Sequence, residues 1–85
     1  MANKLNEQLD LTSVVLKKLY YVSEESVKTV KLLKSKVEVL NYFMTHEPES
    51  VEFIIYYTNE INKLLKEQEQ NLKLIDALNN VLISI

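Results

Sequence analysis

Thr45-His46-Glu47-Pro48-Glu49-Ser50 decides how this chain folds, because it holds the only proline in 85 residues that contain no glycine. Proline fixes φ and has no N–H, so it belongs in a turn or in the first turn of a helix, where that donor has no partner anyway. The spacing predicts a helix ending near Met44, a turn over 45–48 and a second helix beginning at Pro48. Glu49 and Glu52 then lie in its first turn, against the positive end of the helix dipole. So short a connection sends the second helix back along the first.

Upstream of this turn, Val15, Leu19, Val22, Ser26, Val30, Leu33, Val37, Leu40 and Met44 recur at steps of four and three residues, one apolar seam of a helix over about 11–44. Val14, Leu16, Tyr20, Val27, Val39 and Phe43 widen it. The cap-type residues of Asp10-Leu11-Thr12-Ser13 predict a shorter helix in front, and Ser23-Glu24-Glu25 offers a second joint, although neither carries a residue that enforces a stop.

Downstream, over about 48–84, Ile54, Thr58, Ile61, Leu65, Gln68, Leu72, Ile75, Asn79 and Leu82 form one such series. Tyr57, Ile61, Leu64, Gln68, Asn71, Ile75, Leu78, Leu82 and Ile85 form a second beside it. A helix with two adjoining apolar seams calls for more than one neighbour. Lys66-Glu67-Gln68-Glu69-Gln70-Asn71 crosses both with polar side chains. Nearly all are strong helix formers, so the expectation is a continuous helix with a polar layer. No alternating run is long enough for a strand. The expected fold is therefore a single all-α domain over 1–85: a long antiparallel hairpin that pairs into a dimeric four-helix bundle or coiled coil. The competing arrangement is a compact monomeric bundle folded at Ser23 and at 66–71. Ile54, Ile61, Leu65, Gln68, Leu72, Ile75 and Leu82 are the residues expected at the self-association surface, with Gln68 setting its register.

Composition removes most chemistry. With no glycine there is no phosphate-cradling loop, and with no cysteine there is no disulfide, thiolate nucleophile or zinc finger. The one histidine, His46, sits in the turn beside Glu47 at a spacing that matches no metal site. The serines have no other base to pair with. No enzyme, cofactor or metal is expected.

Net charge is −2, but it is unevenly spread: residues 1–36 sum to +3, residues 37–62 to −5 and residues 63–85 to zero. Lys17, Lys18, Lys28, Lys31, Lys34 and Lys36 make the first segment basic, and a nucleic-acid-associated role along that face is one alternative. Against it, all ten basic residues are lysine, which lacks the planar fork that reads base edges. That all-lysine complement fits an AT-rich genome, such as that of a low-GC Gram-positive bacterium or its phages. The first residues lack the apolar core of a signal peptide. The longest apolar run, Phe53–Tyr57, is far below the roughly 20 residues of a membrane span. A cytoplasmic location is expected.

Tyr42 and Phe43 end the first helix, and Phe53, Tyr56 and Tyr57 open the second, rimmed by Glu49 and Glu52. These groups are expected to face each other and pack as the hydrophobic cap of that end; the sharper alternative, taken here for partner contact, is a surface for another protein, since aromatic residues concentrate at interfaces. The leading expectation is a non-catalytic interaction protein, an accessory factor that binds and modulates a protein partner. The stretch Tyr56-Tyr57-Thr58-Asn59-Glu60-Ile61, with the chain's size and lysine content, is similar to the helical-bundle immunity proteins that guard producers of class IIa bacteriocins. That resemblance spans a few residues without a diagnostic motif. It implies a monomeric bundle that protects cells from a pore-forming peptide.

Overall fold

A computed structural model describes residues 2–85; Met1 lies outside the described residues. Two helices make the fold, α1 (Ala2–His46) and α2 (Val51–Ser84), and among the described residues there is no strand. A helix of 45 residues rises about 67 Å at 1.5 Å per residue. The molecule accordingly measures 69 × 15 × 14 Å. Its radius of gyration is 19.5 Å, against about 12 Å for a compact domain of this length. Phe43 stacks on Phe53 and Tyr57 beside the turn, Ser26 bonds Gln68 in the middle, and Leu11 lies with Val81 and Ile85 at the far end. The two helices therefore run antiparallel along their whole length, as a rod and not as a compact bundle.

The turn differs in detail from the sequence expectation. The Ser50 N–H donates to the Glu47 carbonyl at 3.0 Å, which closes a β-turn with Pro48 at its second position, where a φ near −65° is required. The Val51 N–H then donates to the Glu49 carbonyl at 2.9 Å across Ser50, whose φ of −78° and ψ of 62° are those of an inverse γ-turn. These two tight turns consume Pro48 and Glu49, so α2 begins at Val51 and not at Pro48. Glu52 keeps its place in the first turn, while Glu49 loses it.

α1 also runs unbroken through both expected joints. The Thr12 hydroxyl donates to the Gln8 carbonyl one turn back, at 2.7 Å, and so spends its capping capacity inside the helix. At the other joint Glu25 pairs with Lys28 at 3.6 Å within the same helix. No separate N-terminal helix forms. The polar stretch 66–71 stays helical too.

The seam between the helices is where the structure corrects the sequence most. On α2 it follows the second series, with Tyr57, Ile61, Leu64, Gln68, Asn71, Ile75, Leu78, Leu82 and Ile85 all half-buried or buried. On α1 it follows Val15, Leu19, Val22, Ser26, Thr29, Leu33, Lys36, Leu40 and Phe43. Val30 and Val37, at 49% and 48% exposed, and Met44 are turned out. The expected α1 series takes two steps of four in a row at Val22–Ser26–Val30, and each such step rotates the seam around the helix. Facing a partner that alternates strictly between three and four, α1 must do the same to stay in contact. It therefore admits Thr29 and Lys36 and gives up two valines.

Polar side chains then meet at mid-rod. The Gln68 amide donates to the Ser26 hydroxyl at 2.7 Å. The Asn71 amide lies 3.5 Å from both the Thr29 hydroxyl and the Gln68 oxygen, and Thr29 donates to the Glu25 carbonyl at 2.9 Å. Among the described residues no buried side-chain polar atom lacks a partner. Gln68, expected between two chains, finds its partner within one. Among the described residues the buried apolar side chains are Val15, Val22 and Leu64, and none of them is sealed completely from solvent. That is a thin core for so long a rod.

Candidate interaction surfaces

Beside the seam, each helix presents two shoulders. The aromatic contacts at the turn end and the depression that Leu11 and Val81 line together at the open end lie on one side, so the shoulders carrying Leu11, Phe53 and Val81 are shared. The opposite shoulders share the other side. In an antiparallel pair, equivalent positions on the two helices fall on the same side, because the twofold that relates the helices leaves each side in place.

One side is mixed in character. Its α1 row is Leu11, Lys18, Glu25, Leu32, Val39 and His46, and its α2 row is Phe53, Glu60, Glu67, Leu74 and Val81. The other side carries no charge at all. Its α1 row is Leu9, Leu16, Ser23, Val30, Val37 and Met44, and its α2 row is Val51, Thr58, Leu65, Leu72 and Asn79. Leu65 is 51% and Leu72 55% exposed, and nothing among the described residues covers them. The remaining expected self-association residues, Ile54, Ile61, Gln68, Ile75 and Leu82, are half-buried along the seam at the edge of this uncharged side. Val30, Val37 and Met44 join it from α1. Sequence reasoning assigned those three to the seam, and only the register of α1 against α2 reveals where they point.

The aromatic end is assembled as one cluster on the mixed side. The Phe43 ring stacks on Phe53 at 5.2 Å between centroids and lies 6.0 Å from Tyr57. Tyr42 meets Phe43 edge-on at 5.8 Å and sits 4.9 Å from His46, and Tyr56 meets Tyr57 edge-on at 5.2 Å. Lys36 caps the cluster, its Nζ 5.5 Å from the Tyr57 centroid and 6.0 Å from that of Tyr56, which is cation–π geometry. Phe43 and Tyr57 are half-buried, while Tyr42, Phe53 and Tyr56 each remain more than half exposed. The cluster closes the turn end and also leaves an aromatic edge open. Glu49 and Glu52 lie beside Phe53 at its rim.

The lysines of the nucleic-acid alternative are not brought to one face. Lys36 is engaged with the tyrosines, Lys28 pairs with Glu25, and Lys18 lies on the mixed shoulder. Lys17, Lys31 and Lys34 are spread around the outside of α1. Tyr20, expected to add stacking, has a phenol whose pKa is raised from 10.0 by its hydrogen bond to Glu24 and by that carboxylate's charge. Among the described residues no group of three or more His, Asp or Glu side chains is placed to hold a metal, and no helix is long and apolar enough to cross a membrane. Comparison of the chain with protein families, with curated proteins and with solved structures finds no match.

Proposed function

We propose that this chain is a non-catalytic protein–protein interaction module that self-associates and binds another protein. The observation that carries this reading is the uncharged side, where Leu65, Leu72, Val30 and Val37 stand about half exposed in one continuous strip. Leaving such side chains in water forgoes on the order of 1 kcal/mol each, and the strip's total approaches the whole stability of a small domain. Single exposed leucines are ordinary; a long uncharged strip is not. Homodimerisation answers that deficit. The aromatic end, with Glu49 and Glu52 at its rim, then serves a different protein, one offering a basic, apolar-lined surface, and modulates it by occupancy.

Light scattering tests the first half. The chain is expected at the mass of two copies, and Leu65→Asp at the mass of one with its helix content kept. Leu65 is the better probe than Ile61, since Ile61 faces α1 and a charge there opens the hairpin itself. A single-chain mass for the unaltered protein refutes self-association. For the second half, affinity capture from the host is expected to retain a protein that the double variant Phe53→Ser, Tyr56→Ser loses. Captured nucleic acid, released steeply as salt rises, would instead support the lysine-face alternative.

A further inference from the structure

The two shoulders of the uncharged side carry a pattern that fixes how two copies meet. We infer that two copies of this chain pack uncharged side to uncharged side with their rods antiparallel, the turn of each lying over the open end of the other. The inference rests on the self-association proposed above and adds its surface and direction.

Two twofold arrangements bring these sides together. An axis along the rods lays α1 over α2 of the second copy, with turns at the same end. An axis across the rods lays α1 over α1 and α2 over α2, with turns at opposite ends. At full overlap the second arrangement puts like with like. Leu65 meets Leu72 of the second copy, Thr58 meets Asn79, Val37 meets Leu16 and Met44 meets Leu9. In the adjoining outer rows Ile55 meets Ile83, Ser13 meets Asn41, Lys34 lies against Tyr20, and Val27 meets its own equivalent on the axis. The parallel arrangement keeps Val30 on Leu65 and Met44 on Val51 but mismatches the rest: Leu72 falls on Ser23, Val37 on Thr58, Leu16 on Asn79, Ile83 on Ser13, Ile55 on Asn41 and Val27 on Glu69. Burying a hydroxyl or amide against an aliphatic chain leaves it without a hydrogen-bond partner, so the pattern strongly favours the antiparallel pair. Its defects are Val30 on Ser23, Asp76 against Asn62 in the outer row, and the pair of Glu69 residues at the axis. Each Glu69 already has Lys73 of its own chain at 3.2 Å.

Charge points the same way. The turn end of the rod, residues 37–62, carries −5, the middle, residues 17–36 and 63–74, carries +5, and the open end, residues 2–16 and 75–85, carries −2. Turns at one end would stack the two −5 segments on each other, while opposed turns set each over the open end of its mate, which carries only −2, so the antiparallel pair suffers the smaller repulsion. The area suffices as well. A side of 69 Å by 15 Å offers about 1,000 Å² in projection, more than the roughly 800 Å² per partner of a stable interface. In this assembly the two aromatic ends lie at opposite tips, each free for a partner.

The chain has no cysteine, so single thiols report the geometry. Val27→Cys is expected to oxidise to a disulfide-linked dimer. An equimolar mixture of Ile55→Cys and Ile83→Cys is expected to link across copies, each at least about tenfold faster than Ser35→Cys on the outer face of α1. Circular dichroism confirms that each variant keeps its helices. Linkage in a mixture of Asn41→Cys and Ile55→Cys, with Val27→Cys unlinked, overturns the antiparallel arrangement in favour of the parallel one. A two-chain mass with neither linkage overturns the proposed surface and leaves self-association standing. A one-chain mass overturns both.

Discussion

The two long sides of the hairpin flank the same seam and both expose aliphatic side chains, four on one and seven on the other, yet they are built to different rules. On the mixed side Leu32, Val39, Leu74 and Val81 alternate with Lys18, Glu25, Glu60 and Glu67, so any apolar surface brought against it must also desolvate a charge. On the uncharged side Leu16, Val30, Val37, Leu65 and Leu72 are spaced only by Ser23, Thr58 and Asn79. Exposed apolar side chains occur on both sides; freedom from charge within the two shoulder rows occurs on one, and we read that freedom as the mark of a docking surface.

The comparison breaks most directly by placing a charge on each side in turn. Leu65→Asp with Leu72→Asp is expected to weaken self-association by at least about a hundredfold, since both carboxylates must leave water when two copies meet. Leu74→Asp on the mixed side is expected to leave the mass by sedimentation unchanged. Equal losses from the two sides would erase the distinction. Next in size is the seam they share: Leu64→Ala is expected to cost about 2–3 kcal/mol, read from denaturant midpoints, because Leu64 is among the few buried aliphatic residues.

Gln68→Leu sharpens the comparison at mid-rod. It removes the amide that bonds Ser26 at 2.7 Å and is expected to raise stability by about 1 kcal/mol while loosening register, seen as broadened side-chain methyl resonances around Thr29 and Leu64. Smallest is Lys73→Ala. Its ion pair with Glu69 is exposed at both ends, so the expected change in stability is under about 0.5 kcal/mol, read from denaturant midpoints.

Much of this was legible in the residues. Helicity follows from the missing glycine and from unbroken three- and four-residue spacing, and the antiparallel course follows from Pro48. The helix start was misplaced because the β-turn at Glu47–Ser50 and the γ-turn at Ser50 depend on backbone bonds that proline permits but does not dictate. Thr12 and Ser23 read as caps because their side chains suit either a helix end or a turn inside one. The aromatic cluster was visible as two groups close to the turn. Its division into half-buried Phe43 and Tyr57 and open Tyr42, Phe53 and Tyr56 was not.

By itself the sequence determined that there are two long helices, that they fold back on each other, and that both carry more apolar surface than one contact can cover. Periodicity supplies those results because it is a property of a single helix. Which of the two α2 series faces α1, and the turning of Thr29 and Lys36 inward with Val30 and Val37 outward, were decided only by the tertiary structure. An apolar stripe wider than one neighbour has several acceptable orientations, and only the facing helix, with its strict spacing and its amides at Gln68 and Asn71, selects among them.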